Sequence, residues 1–206
     1  MRVGIIDSGV HATHPHVHGV AGGIGIAADG REVDDYIDRL GHGTAVTAVI
    51  REKAPDAEIF AVKIFHEALA ARIDALVAAI DWCARHRMDL INLSLGTDNP
   101  THEPVLAAAI ARAGGSVIVA AGEDEGIRWL PGSLPGVVAV RLDWSCPRDE
   151  FRVDGEMAYR ASGYPRPAPG IPVDRNLKGL SFAVANVTGL LARAGGIRSS
   201  VIGSGS

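Results

Sequence analysis

The sequence predicts an α/β fold of three layers, in which a mostly parallel sheet carries helices on both faces. In the N-terminal half, short runs rich in β-branched residues alternate with longer segments of helical period, as in a parallel sheet covered by helices. The chain has 206 residues, of which 47% are hydrophobic, and no long low-complexity tract. This length and composition predict one domain with a sizeable core.

Six strands and four helices are predicted along the chain. The strands are Arg2–Asp7, Gly22–Ala27, Glu58–Phe65, Asp89–Leu95, Ser116–Ala121 and Val137–Leu142. The first helix begins at His42, and the other three cover Ala71–Arg87, His102–Ala113 and Ser181–Ala194. The second and third helices have apolar residues at three- and four-residue spacing. Prolines, glycines and charges between Asp143 and Lys178 predict irregular surface structure. We expect one domain over residues 1–200 and a Gly/Ser tail of linker composition over residues 201–206.

Charge and cysteine content argue against several classes of partner. Twenty Lys and Arg residues against 24 Asp and Glu give a net charge of -4, which does not favour nucleic acid or anionic membrane. No apolar stretch reaches the roughly 20 residues that span a bilayer. Because Met1 and Arg2 run directly into a strand, we expect no signal peptide and a cytoplasmic protein. The two cysteines, Cys83 and Cys146, do not form a disulfide framework and fit a reducing compartment.

Three segments place a reactive side chain where an element ends or begins. Asp7 closes an apolar strand, and the carboxyl ends of parallel strands are where sites assemble. His42 stands between Gly41 and Gly43 at the start of a helix, and Ser181 lies at a helix N-terminus. Singly, these residues are equally explained as a turn cap, a core histidine and an N-cap. Together, an aspartate, a histidine and a serine are the set that activates a hydroxyl nucleophile.

The order Asp, His, Ser, with gaps of 35 and 139 residues, resembles the subtilisin-like serine proteases. Further segments match signatures of that family in the same order along the chain: Ile6-Asp7-Ser8-Gly9-Val10, His14-Pro15, Gly41-His42-Gly43-Thr44, Asp89 to Gly96, Ala120-Ala121-Gly122, Ala168-Pro169-Gly170 and the serine segment up to Gly189. The resemblance extends from Val3 to about Leu191. It implies a subtilisin-like fold and a protease cleft at the carboxyl edge of the sheet.

The resemblance also implies a role for each site residue. Asp7 would orient His42, which would accept the proton of Ser181 as the serine attacks a peptide carbonyl. An extended peptide or protein substrate would pair with Ser94, Leu95 and Gly96. A pocket between that segment and Ala121 and Gly122 would set the side-chain preference. Since small residues line both walls, we expect an open pocket that accepts apolar or bulky side chains.

One departure from the family affects the predicted chemistry. Where subtilisin-like enzymes carry an asparagine whose amide stabilises the oxyanion, this chain has Glu123. An ionised carboxylate only accepts hydrogen bonds, so reduced activity is expected unless the group is protonated. Three successive carboxylates, Glu123, Asp124 and Glu125, are expected to raise at least one pKa. A peptide-binding pseudoprotease or scaffold with little turnover is therefore the alternative to a serine endopeptidase.

No cofactor or metal is expected. The segment Arg51–Ala57 is short and lacks the calcium-binding loop of many secreted relatives. We interpret the loop histidines at positions 11, 14, 16 and 18 as solvated, and Asp34, Asp35 and Asp38 as a solvated acidic face. The function predicted from sequence is an intracellular endopeptidase, with limited processing of a specific peptide precursor as its expected role. Whether a partner protein takes part is left open.

Overall fold

A computed structural model describes residues 1–172 and 175–196 of the chain, so the tail predicted at residues 201–206 lies outside the described residues. The strands are β1 (Arg2–Asp7), β2 (Gly22–Ile26), β3 (Glu32–Val33), β4 (Glu58–Lys63), β5 (Leu90–Leu93), β6 (Val117–Ala121), β7 (Glu123–Asp124), β8 (Ile127–Arg128), β9 (Val137–Leu142), β10 (Phe151–Gly155) and β11 (Ala158–Ala161). The helices are α1 (His42–Lys53), α2 (Ile73–Arg85), α3 (Glu103–Arg112) and α4 (Leu180–Ala194), and a 3₁₀ turn at Pro100–His102 precedes α3.

The main sheet has the strand order β10-β11-β9-β6-β5-β1-β4-β2-β3. The seven strands from β11 to β2 run parallel, and an antiparallel strand closes each edge. Strand β1 lies near the middle, where Ile5 pairs with Ala61 on one side and with Asn92 on the other. Central strands that are buried on both faces require nearly continuous apolar sequence, which β1 and β5 have.

Helices cover both faces of this sheet. Apolar residues of α2 and α3 pack on one face with Ile6, Ile91 and Ile118. Apolar residues of α1 and α4 pack on the opposite face with Val3 and Ile5. The predicted three-layer α/β fold with a mostly parallel sheet is confirmed.

The prediction of irregular structure from Asp143 to Lys178 is wrong in part, because β10 and β11 form a hairpin that extends the sheet. Strand β11 pairs in parallel with β9, and β10 forms the outer edge. Residues of β10 are mostly exposed, as in an edge strand that faces water on both sides. Such a strand has no alternating apolar pattern, so the sequence signal for it is weak.

The segment after α1 is tied to the loop before β2 by one arginine. The guanidinium of Arg51 donates hydrogen bonds of 2.7 to 3.1 Å to four backbone carbonyls, those of Val17, Gly19, Pro55 and Ala57. Backbone carbonyls are typical calcium ligands, but these four are bound by a side-chain cation of the protein itself.

Strands β1, β4, β5 and β6 end at the same edge of the sheet, and α1 and α4 begin there. The segments that contain Asp7, His42 and Ser181 therefore lie at this edge. No helix among the described residues is long and apolar enough to cross a membrane.

Candidate active site

Asp7 and His42 meet where β1 ends and α1 begins. Nδ1 of His42 lies 2.8 Å from Oδ1 of Asp7 and 3.0 Å from Oδ2. The Asp7 side chain is completely buried, and the backbone N–H of Ser8 donates to its Oδ1 at 2.7 Å. Gly43 permits this approach, because a Cβ atom there would stand 2.2 Å from the carbonyl oxygen of Gly9. The glycine after His42 thus lets α1 begin directly against the end of β1.

The charge around His42 favours its protonated form. Burial lowers the pKa of the imidazole, but the hydrogen bond and negative charge of Asp7, together with the charge of Asp38, raise it above its ordinary value. The side chain is 14% exposed. An imidazole whose Nδ1 proton is held by a carboxylate presents the lone pair of Nε2 as a base.

The prediction that Asp38 belongs to a solvated acidic face is wrong. Its carboxylate is buried and joins the loop before α1 to the helix itself. Its Oδ1 accepts hydrogen bonds from the Ser8 hydroxyl and from the backbone N–H groups of Leu40 and Gly41, at 2.8 to 2.9 Å. Its Oδ2 accepts from the backbone N–H and the hydroxyl of Thr44, at 2.9 and 2.6 Å. Burial raises the pKa of Asp38, but these hydrogen bonds hold it below its ordinary value. The carboxylate therefore fixes the first turn of α1, from which His42 projects.

Asp35 is not free in solvent either. Its carboxylate accepts from Arg39 at 2.7 Å and from the buried Lys63 at 3.2 Å. The hydrogen bond from Arg39 is the main cause that lowers the pKa of Asp35 to about 2. Asp34 is the one residue of the three that is exposed.

Ser181 is the second residue of α4 and is linked to the end of β5 by two hydrogen bonds. Its Oγ donates to the carbonyl of Ser94 at 3.0 Å, and its carbonyl accepts from the Ser94 hydroxyl at 2.8 Å. Asn92 on β5 supports this link, because its amide donates to the Ser94 hydroxyl and its Oδ1 accepts from Thr188 on α4. The position of Ser181 relative to the sheet is thus set by buried polar contacts.

A cavity of about 450 Å³ brings the predicted residues together. His42 and Ser181 line it, together with Ser94, Leu95 and Gly96. Its other walls are the segment after β4, the start of α2, and Thr97 and His102. One wall of the cavity is therefore Ser94–Gly96, the segment to which the family resemblance assigns backbone pairing with substrate.

Asp7, His42 and Ser181 thus lie at the carboxyl edge of the parallel sheet, and comparisons with known proteins give the family of the chain. The sequence matches the model of the Subtilase family over residues 1–142. The chain belongs to the subtilase family.

Among curated subtilases, subtilisin E from Bacillus subtilis (strain 168) is 28% identical over 208 residues, which cover 92% of this chain and 52% of that protein. The chain thus spans about half the length of the curated relatives it matches. The solved structure of the prenylagaramide maturation protease PagA is similar, with a TM-score of 0.70 and 24% identity over 94% of this chain and 74% of that one. The protease domain of PatA has a TM-score of 0.68 and 25% identity, over 94% of this chain and 78% of that one.

Glu123, which the sequence predicts at the oxyanion position, begins a short hairpin of β7 and β8. Its side chain is 50% exposed and accepts a hydrogen bond from Arg141 at 2.8 Å. The turn residues Glu125 and Gly126 both have positive φ, 49° and 79°, as a two-residue hairpin requires. Of the three carboxylates, Asp124 has a raised pKa, first through burial and then through the charge of Glu125.

The second predicted wall of the substrate pocket lies at the end of β6. Ala121 is buried, and the carbonyl of Gly122 accepts hydrogen bonds from Trp129 and from the Ser133 hydroxyl at 2.8 and 2.9 Å. Neither Ala121 nor Gly122 is among the residues that line the 450 Å³ cavity.

Several residues that shape the site were not predicted. Asp38, Asn92 and Thr188 are buried polar residues whose contacts hold the segments that carry His42 and Ser181. A signal existed for Asn92, which is the single polar residue in the apolar strand Leu90–Leu93 and so required a buried partner.

Three of the loop histidines, His11, His14 and His16, line a second cavity of about 520 Å³ beside the first turns of α1. Among the described residues, no three His, Cys, Asp or Glu side chains are grouped closely enough to hold a metal ion. We therefore assign no metal-binding role to these histidines.

Proposed function

We propose that this subtilase is a serine endopeptidase whose catalytic triad is Asp7, His42 and Ser181, within one peptidase domain over residues 1–200. The observation that carries the proposal is the shared cavity: His42, held by the buried Asp7, and Ser181, at the start of α4, line the same cleft. The cleft also exposes Ser94, Leu95 and Gly96, to which an extended peptide can pair.

In the proposed reaction, Oγ of Ser181 bonds to the carbonyl carbon of the scissile peptide while its proton passes to Nε2 of His42. Asp7 stabilises the resulting imidazolium through Nδ1. The imidazolium then protonates the departing amine, and water hydrolyses the acyl-enzyme by the same path. Because the Ser181 hydroxyl donates to the Ser94 carbonyl in the free protein, it must turn towards His42 when substrate binds.

The oxyanion that forms in this step needs hydrogen-bond donors. The backbone N–H of Ser181, in the first turn of α4, supplies one. Glu123 replaces the usual second donor, so we propose slower turnover than in a subtilase with asparagine at this position. The same substitution favours the alternative function, a peptide-binding protein that keeps the cleft with little or no catalysis.

We further propose that the substrate is a specific peptide precursor. One structural neighbour supports limited processing, since it is described as the prenylagaramide maturation protease PagA. A cytoplasmic location stays a prediction, and it agrees with the free thiols of the buried Cys83 and Cys146.

Cleavage of an unfolded polypeptide, followed by mass spectrometry of the fragments, tests the proposal. We expect the parent protein to cut internal peptide bonds and Ser181→Ala to leave the polypeptide intact. Ser145→Ala is the matched control, because Ser145 is exposed and lies outside the cleft. Binding of the polypeptide without cleavage, unchanged in Ser181→Ala, would instead support the peptide-binding alternative.

A further inference from the structure

The two predicted walls of the substrate pocket are bridged by a chain segment that begins at Trp129. The backbone N–H of Trp129 donates to the carbonyl of Gly122, at the end of one wall, at 2.8 Å. The next residue, Leu130, exchanges two backbone hydrogen bonds of 2.9 Å with Thr97, directly after the other wall. The segment therefore lies across the space between the walls.

The Trp129 side chain lies against the first wall. A Cβ atom placed on Gly96 would stand 3.3 Å from both Cβ and Cε3 of Trp129, so the indole packs on the bare face of this glycine. The half-buried indole also packs against the core cluster that contains Ala121 and Phe182, the neighbour of Ser181. The large side chain thus lies between Gly96 and the end of β6, where the sequence predicts an open pocket.

The backbone of Trp129 is held firmly in this place. Its carbonyl accepts hydrogen bonds from the backbone N–H and the hydroxyl of Ser133, at 3.0 and 2.8 Å. Three residues further on, Gly132 packs so closely on Ala121 that a Cβ atom there would overlap the Ala121 carbonyl oxygen. With its N–H and carbonyl both hydrogen-bonded, the backbone of Trp129 is fixed between the two walls.

We propose that Trp129 is the specificity-determining residue of this enzyme and restricts the substrate residue before the scissile bond to small side chains, such as glycine, alanine and serine. This inference rests on the proposed function, because it assigns the pocket beside Ser181 to that substrate residue. A phenylalanine or leucine side chain would need the volume that the indole already fills, and protein interiors tolerate such overlap poorly.

Binding without turnover tests the proposal independently of catalysis. In the Ser181→Ala background, dissociation constants are measured by calorimetry for acetylated tetrapeptide amides that differ only in a C-terminal alanine or phenylalanine. We expect the alanine peptide to bind at least 10-fold more tightly, since a single misfitting group in a pocket changes discrimination by roughly 10- to 200-fold. Adding Trp129→Gly should reverse the preference by opening the pocket.

Controls separate this inference from the proposed function. Trp144→Ala removes an exposed indole that packs on Tyr164, and it should leave the ratio unchanged. Trp129→Ala gives a second opened pocket if Trp129→Gly folds poorly. Equal or tighter binding of the phenylalanine peptide to the protein with Trp129 intact, or an unchanged ratio in both opened variants, would overturn the inference. Absence of cleavage by the parent protein would count against the proposed function alone.

Discussion

Replacement of Asp38 by asparagine tests whether the buried carboxylate organises the start of α1, from which His42 projects. Asparagine keeps the size of the side chain but replaces one oxygen by an N–H₂ group, whereas each oxygen of Asp38 accepts at least two hydrogen bonds. In either orientation, the new amide donor faces at least one backbone N–H. That group loses a hydrogen bond to a charged acceptor, which contributes about 1.5–3 kcal/mol.

For a chain of this length, each kcal/mol corresponds to roughly 2–4 °C, so the melting temperature at neutral pH should fall by about 3–12 °C. The effect has a defined pH dependence. Because the folded-state pKa of Asp38 is depressed, its contribution to stability is present above the ordinary carboxyl pKa, about 3.9, and is lost as the pH falls through the folded-state value. The difference between parent and variant should therefore narrow below about pH 4.

Thermal and urea denaturation at several pH values measure this difference. Asp34→Asn is the matched control, because Asp34 lies in the same loop with an exposed side chain. We expect the control to change the free energy of unfolding by less than about 0.5 kcal/mol. The reasoning is refuted if Asp38→Asn is no more destabilising than the control, or if its effect does not depend on pH.

Three further variants test other parts of the site. Asp7→Asn removes the charge that raises the pKa of His42, so the acid limb of the pH–rate profile should move to lower pH. Turnover should fall by about 10⁴-fold. An acid limb that does not move would contradict the assignment of Asp7. Glu123→Asn should raise turnover by up to about 10²–10³, the effect of one oxyanion donor in subtilisin, and unchanged kinetics would show that Glu123 does not face the oxyanion. Arg51→Met removes four hydrogen bonds to backbone carbonyls and should lower the melting temperature by more than about 5 °C. A calcium chelator should leave the melting temperature of the parent protein unchanged, and a large decrease would reveal a calcium site.

The central strands, the surrounding helices and the positions of Asp7, His42 and Ser181 at the ends of elements were predictable because each has a local signal. Strand β1 is a continuous apolar run that ends in Asp7, and α4 ends at the left-handed Gly195. The predicted ends of most elements differ from the observed ends by one or two residues, as fraying of helices and strands makes usual.

Other features depend on contacts that the sequence does not display. Asp38 lies in the same polar loop as Asp34, and its burial depends on its hydrogen bonds to the turn before α1. Trp129 follows the β7–β8 hairpin, and its position is set by its own hydrogen bond to Gly122 and by the pairing of Leu130 with Thr97, 33 residues earlier in the chain. The small residues of the two walls therefore predicted an open pocket, and the sequence did not show that the side chain of Trp129 lies between them.

Reaction with a fluorophosphonate, followed by intact mass and peptide mapping, tests the central claim most directly. Within the part of the chain that the structure describes, Ser181 is the hydroxyl residue at a helix N-terminus that shares a cavity with the carboxylate-held imidazole of His42. We predict a single adduct on Ser181, its loss in Ser181→Ala and its retention in Ser145→Ala. An adduct that persists in Ser181→Ala or maps to Ser8 or Ser94 would contradict the assigned nucleophile, and no reaction where an active subtilase reacts would contradict the proposed catalysis.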